Sequence, residues 1–214
     1  MIASVRRSPL ALAILALLYE EPMHPYRMQQ LIKERAKDEV INVRARASLY
    51  QTIARLERDG LIAVQETARH ENRPERTIYR LTEAGRETAF AWLGSMLATP
   101  AREFPAFPAA VSFLAMLRPE EALTRLETRA EALQAELAGI DARIGGDAAT
   151  RPRVVLLEEE YRRAMRQAEL DWVRGVVADL RAGDLGWDLD ELRAEFVGRP
   201  KAAAALTEEL RRLV

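Results

Sequence analysis

The chain has 214 residues, 49% of them hydrophobic, enough apolar material for one large or two small cores. Its formal net charge is −1 and it has no cysteine, which excludes disulfides, thiolate metal sites and cysteine nucleophiles. The charge is uneven: residues 1–90 hold about 15 Lys and Arg against about 12 Asp and Glu, and the remainder about 17 against about 21, a mildly basic first half that fits nucleic-acid contact at the N-terminus.

Arg6-Arg7 and the apolar run Leu10 to Leu18 resemble a secretory leader. The run is too short to span a bilayer. Tyr19-Glu20-Glu21-Pro22 follows it where a leader would have small residues, so the segment reads as a buried first helix, Pro9 to Tyr19. Ser8 suits its N-cap and Pro9 its first turn. Pro22 to Pro25 break that helix, and a second one starts near Pro25 and carries Tyr26, Met28, Leu31 and Ile32. After a polar turn with Asn42 as a plausible cap, a third helix covers about Val43 to Asp59.

Leu49, Ile53 and Leu56 give the third helix an apolar face. Gly60, able to take the left-handed conformation, ends it. The period then becomes two: Leu61 to Thr67 and Thr77 to Leu81 read as strands around the polar tip Arg69-His70-Glu71-Asn72-Arg73-Pro74-Glu75-Arg76. Thr82 caps a fourth helix, with Gly85 tolerated in its first turn and Phe90, Trp92, Leu93, Met96 and Leu97 making it apolar.

Pro100 to Pro108, with Phe104 and Phe107, mark a domain boundary. The expected division is 1–99 and 100–214. A short helix, Ala109 to Leu117, is followed by a long one from Pro119, in which Leu123, Leu126, Ala130, Leu133, Leu137, Ile140 and Ile144 form a heptad seam like that of a coiled coil, closed by Gly145-Gly146. Another helix spans about Pro152 to Ala182, with Leu157, Tyr161, Met165, Ala168, Trp172, Val176 and Leu180 on its face. Helical segments at Leu189 to Val197 and Pro200 to Leu213 close the chain. The heptad can pair within the chain, as an antiparallel hairpin, or across a dimer.

Five segments in this order and spacing carry a resemblance: the early apolar helix, Pro22-Met23-His24-Pro25-Tyr26, Ser48-Leu49-Tyr50, Arg55-Leu56-Glu57-Arg58-Asp59-Gly60-Leu61-Ile62, and Tyr79-Arg80-Leu81-Thr82-Glu83-Ala84-Gly85. Residues of about 8–98 resemble the PadR-like winged-helix regulators, named for control of phenolic acid decarboxylase. One departure is Pro25, where the family often has glycine. The resemblance implies a fold that is mostly α, an α+β winged helix-turn-helix followed by a C-terminal helical dimerisation and effector-response domain. It implies a cytoplasmic, homodimeric, DNA-binding transcriptional regulator, usually a repressor, whose affinity for double-stranded DNA is lowered by a small aromatic or hydrophobic effector.

On that frame the third helix enters the major groove and the hairpin touches the backbone or minor groove. The expected DNA contacts are Arg46, Ser48, Tyr50, Gln51, Thr52 and Arg55 on the helix and Arg69, Arg73 and Arg76 on the wing. Gln51, Thr52 and Arg55 are placed opposite Leu49, Ile53 and Leu56. Tyr50 has two readings, a phosphate contact or a brace onto the second helix. The expected dimer residues are Leu123, Leu126, Leu133, Leu137, Ile140 and Trp172, and Trp92 is the candidate effector contact, with core packing as its alternative. His24 and His70 lie far apart, without a partner at metal-ligand spacing, and no phosphate loop or credible triad occurs, so neither an enzyme nor a metal or cofactor is expected. The rival reading is a helical adaptor or scaffold that uses the winged unit for protein contacts. No membrane partner is expected.

Overall fold

Ser8 starts the first helix: its Oγ accepts the Ala11 amide at 3.1 Å, and α1 runs Pro9–Glu20. Residues 7–43, 46–68, 76–147 and 151–197 are described in this computed structural model. The chain divides into two units, Met1–Glu103 and Phe104–Val214. Among the described residues no helix is long and apolar enough to cross a membrane.

In the first unit α1 is buried over most of its circumference, through Leu10, Ala11, Ile14, Leu15, Leu17 and Leu18. α2 (Pro25–Glu34) is capped by His24, whose Nδ1 accepts the Tyr26 amide at 3.0 Å. Ala36 then takes a left-handed conformation, φ +53, which turns the chain into a 3-10 turn at Lys37–Glu39. α3 (Arg46–Arg58) buries Leu49, Ile53 and Leu56 in the same core. It begins three residues later than expected and stops at Gly60, φ +74.

β1 (Ile62–Ala68) and β2 (Arg76–Leu81) form an antiparallel hairpin with a one-residue bulge at Gln65, between the Val64–Tyr79 and Glu66–Ile78 pairs. Met23 adds a short third edge, exchanging both backbone hydrogen bonds with Tyr79 at 3.0 and 3.1 Å. The α1–α2 connection is thus stitched to the wing. Arg35 also ties α2 back to α1, donating to Glu20 at 2.5 and 2.7 Å. That hydrogen bond holds the Glu20 carboxyl below its ordinary value.

α4 (Glu83–Ala98) is capped by Thr82, whose Oγ1 accepts the Gly85 amide at 3.0 Å and shares its own proton between the carbonyls of Gly60 (2.8 Å) and Leu61 (2.9 Å). Gly85 is required there, not merely tolerated. A Cβ at this position would lie 1.9 Å from the Leu61 carbonyl oxygen. Ala89 and Trp92 pack against the N-terminal core.

In the second unit α5 (Ala106–Ser112) starts three residues earlier than expected, because Pro108 falls within the first turn, where its missing N–H has no intrahelical acceptor to lose. The expected end of that helix is a 3-10 turn, Leu114–Met116. α6 (Pro119–Asp147) runs through Gly145-Gly146 instead of ending before them. α7 (Leu157–Ala182) starts five residues later than expected, after a 3-10 turn at Arg153–Val155. α8 (Leu189–Val197) has Asp188 beneath its first turn, accepting from the amides of Asp190 and Glu191. The helix expected over Pro200 to Leu213 lies outside the described residues.

α6 and α7 pack on each other as an antiparallel hairpin, with Leu126, Leu133 and Leu137 against Leu170, Val173 and Val177. Leu123, Ala130, Val176 and Leu180 flank them, and Ile140 is fully buried. The heptad pairs within the chain, one of the two arrangements open to it, which buries Leu126, Leu133, Leu137 and Ile140. One expectation is corrected here. The packed face of α7 is centred on Leu170, Val173 and Val177, while Leu157, Tyr161, Met165 and Trp172 are exposed. The reason is geometric: each i+4 step advances about 40° around a helix of 3.6 residues per turn. The predicted run therefore winds from solvent toward the core, and only its last members, Val176 and Leu180, reach it.

A continuous alternation of charges bridges the two helices: Arg129–Glu169–Arg166–Glu136–Arg162–Glu159–Arg143. Its most buried members are Arg162, Glu159 and Glu169. Arg129 also lies over the Phe107 ring at 3.6 Å, and Phe107 meets Trp172 edge-on at 5.8 Å, which fastens α5 to the hairpin.

Gly85→Ala is expected to lower the thermal unfolding midpoint of the first unit sharply, by overpacking that costs about 1–3 kcal/mol or more. Gly94→Ala, in open space on the same helix, is expected to raise it through a stabilisation of about 0.5–1 kcal/mol. Circular dichroism melts of both variants check the pair. The lowered Glu20 carboxyl stabilises the fold above its ordinary value of 4.5 and loses that effect as pH falls through the lowered value. With both side chains nearly half exposed the effect is under about 1 kcal/mol. Between pH 5 and 3 the wild-type midpoint should fall more steeply than that of Glu20→Gln.

Candidate nucleic-acid interface

Burial divides α3 into two faces. Ala47, Tyr50, Gln51, Ala54, Glu57 and Arg58 are exposed, recurring at three- and four-residue spacing along one side. Leu49, Ile53 and Leu56 hold the opposite side in the core, and Gly60 fixes where the helix stops relative to the wing. Tyr50 is 50% exposed, so part of its ring is presented on this face and part is covered, which leaves room for both of its readings.

Thr52 does not belong to the exposed face. It is 8% exposed, and its hydroxyl donates to the Ser48 carbonyl at 2.7 Å. Thr52 stands four residues before Leu56 and three after Leu49, so helical spacing already places it beside the apolar side. Ser48 is half-buried next to it. Arg55 is half-buried at the edge of the exposed face, with its Nε buried and lacking an acceptor. Glu57 and Arg58, which sequence reasoning passed over, are exposed instead, Arg58 lying 3.5 Å from Asp59.

The exposed edge of α3 borders the wing. Tyr79 on β2 has its hydroxyl pushed above the ordinary phenol value, first by burial and then by the charges of Glu57 and Tyr50. Arg69 and Arg73 lie outside the described residues. Arg46 and Arg76 stand in α3 and β2, with their side chains outside the described set. Of the nine expected DNA contacts, Tyr50 and Gln51 are thus on the exposed face, Ser48 and Arg55 are half-buried at its edge, and Thr52 turns away. Among the described residues no group of three or more acidic or histidine side chains is arranged to hold a metal ion.

A helix-turn-helix whose third helix leaves one side uncovered, followed directly by a two-stranded wing, is the frame of a winged-helix regulator. The profile of the Transcriptional regulator PadR-like family matches residues 14–90, from α1 to α4. The N-terminal unit is thus similar to the PadR-like transcriptional regulators over this segment. Comparison with curated protein sequences gives no match.

The PadR-like fold extends beyond the matched segment. Bacillus subtilis PadR in complex with operator DNA superposes with a TM-score of 0.66 at 18% identity, over 82% of this chain and 99% of PadR. The same protein with p-coumaric acid gives 0.63 at 19% identity, over 80% and 98%. The Vibrio cholerae virulence activator AphA gives 0.62 at 19% identity, over 81% and 98%. At these identities the likeness is one of fold.

Thr52→Val is expected to leave affinity for a bound DNA fragment within about twofold, as for a residue off the interface. Gln51→Ala should cost about 1–3 kcal/mol if its amide pairs with a base edge. Fluorescence anisotropy of the two variants on one labelled duplex separates them.

Proposed function

We propose that this PadR-like chain is a sequence-specific DNA-binding repressor that acts as a homodimer and is released from its operator by a small aromatic or hydrophobic effector. The observation that carries the reading is the uncovered side of α3 on a winged unit, holding a phenol, an amide and a guanidinium where groove contacts are made. The family match over residues 14–90 supports it, as does the fold shared with Bacillus subtilis PadR, solved in complex with operator DNA.

Two-fold pairing is supported by the hairpin of the second unit. Its internal seam is filled, yet Tyr161 is 66% exposed and Trp172 47%, on one side of α7 with Leu157 and Met165. A row of large apolar side chains of this kind marks a protein contact. A second copy is the occupant that a reader of paired half-sites requires. The dimer contact thus passes from the buried heptad leucines to this stripe, and Trp172 keeps its place in it. The effector reading is supported by Bacillus subtilis PadR having been solved with p-coumaric acid. Trp92, packed at the edge of the first core, is the reporter for it.

The test is binding of the full chain to the DNA upstream of its own coding region. Salt-sensitive, sequence-preferring binding is expected, each neutralised phosphate adding about 0.9 to the salt slope. Binding indifferent to sequence or absent altogether favours the adaptor reading. A reporter driven by the bound fragment should rise when the chain is removed; a fall would make it an activator, as AphA is in Vibrio cholerae. A phenolic acid should lower the anisotropy of the complex while altering tryptophan emission.

Tyr161→Glu combined with Met165→Glu should convert the dimer to monomer in sedimentation, since each charge would be buried unpaired at a cost of about 3–5 kcal/mol. Operator affinity should fall with it. A variant that stays dimeric removes the α7 stripe from the interface.

A further inference from the structure

The exposed arc of α3 has a chemistry that narrows what it can read. Successive residues turn about 100°. Ala47 and Ala54 therefore stand at the centre of the arc, two turns apart, with Gln51 and Arg58 on one side and Tyr50 and Glu57 on the other. All six are exposed. The hydroxyls that could have read bases are removed from it: Thr52 is bonded to the Ser48 carbonyl, and Ser48 is half-buried. Arg55, the bulky cation nearest the middle of the helix, lies at the arc's edge with its Nε buried. Of the two polar groups nearest the N-terminal half, which is the part that usually approaches base edges, Tyr50 has one hydroxyl and Gln51 has the paired donor and acceptor.

We infer that α3 selects A·T pairs, with the Gln51 amide bidentate to an adenine and the Ala47 and Ala54 methyl groups packed on the C5-methyls of neighbouring thymines. This rests on the DNA-binding reading above and specifies its ligand. Adenine offers N6 as donor and N7 as acceptor, which matches the Gln51 side chain; guanine presents two acceptors there and would leave the carbonyl oxygen of Gln51 unpaired. An alanine methyl has no polar group to satisfy, so it approaches closely and gains most where the groove itself shows a methyl. The two alanines are about 10 Å apart along the helix axis, close to the rise of three base pairs. Glu57, at the C-terminal half, repels phosphates and tilts the helix toward leading with its N-terminal half.

The test selects duplexes from a random pool with the full chain, then replaces each thymine of the enriched half-site with deoxyuridine, which removes the C5-methyl and nothing else. Half-sites rich in A·T are expected. At least one replacement should weaken binding by about fourfold, the effect of one buried methyl. Ala47→Gly and Ala54→Gly complete it: the ratio of affinities for thymine and deoxyuridine duplexes is internal to each variant, so a general loss of helix stability cancels. That ratio should collapse to about one for the matched alanine. Deoxyuridine without effect at every position, a ratio unchanged in both glycine variants, or a half-site with G·C pairs throughout overturns the inference while leaving DNA binding in place. Failure to enrich any sequence overturns the DNA-binding reading and this inference with it.

Discussion

The first unit depends on one close approach of backbone to backbone. Gly85, in the first turn of α4, sits so near the Leu61 carbonyl that no side chain fits between them. Thr82 binds the same two peptide units, Gly60 and Leu61, through its hydroxyl. Three elements meet here: the end of α3, the start of β1 and the start of α4. Because Gly60 has turned left-handed to end α3, the chain leaves the helix in a fixed direction, and α4 clamps it. The angle between the third helix and the hairpin is set by this junction more than by the wing itself, whose two strands could not hold it alone.

That fixed angle gives the uncovered side of α3 its meaning. A helix packed by Leu49, Ile53 and Leu56 has half its circumference left over, and neighbouring elements decide how much of that stays open. Ser48, Thr52 and Arg55 are drawn partly or wholly under cover. What remains is narrow, mixed in charge and centred on two methyl groups. Such a surface offers shape and a few polar groups, with Arg58 and Glu57 close to balancing in charge.

Much of this was legible in the sequence, for identifiable reasons. Helix starts were marked by side chains that cap or open helices, since Ser8, His24-Pro25 and Thr82 stand where caps and first-turn prolines belong. The change of period after Gly60 gave the wing. What was not legible was orientation over long or shallow patterns. Thr52 is polar, yet it lies close enough to Leu56 around the helix to be covered, and a polar residue is easily assigned to the wrong side. On α7 a run of i+4 steps resembled one face and was two. The environment of Gly85 depends on Leu61, a neighbour twenty-four positions away in the chain, so spacing within its own helix carried no sign of the contact. The Met23–Tyr79 pairing was equally silent, since a single bridging residue leaves no alternation to detect.

The alternating chain of arginine and glutamate along α6 and α7 does more than add modest attractions. Sliding one helix past the other would strain the four pairs that cross between them, Arg129–Glu169, Arg166–Glu136, Arg162–Glu136 and Arg143–Glu159, together, so the hairpin resists shear and moves as one beam. Twenty-nine residues of α6 make that beam about 43 Å long. A tilt of about 5° at one end carries the other roughly 4 Å, more than the rise of a base pair. A stiff bar thus amplifies small angular changes, which a soft hairpin would absorb by bending.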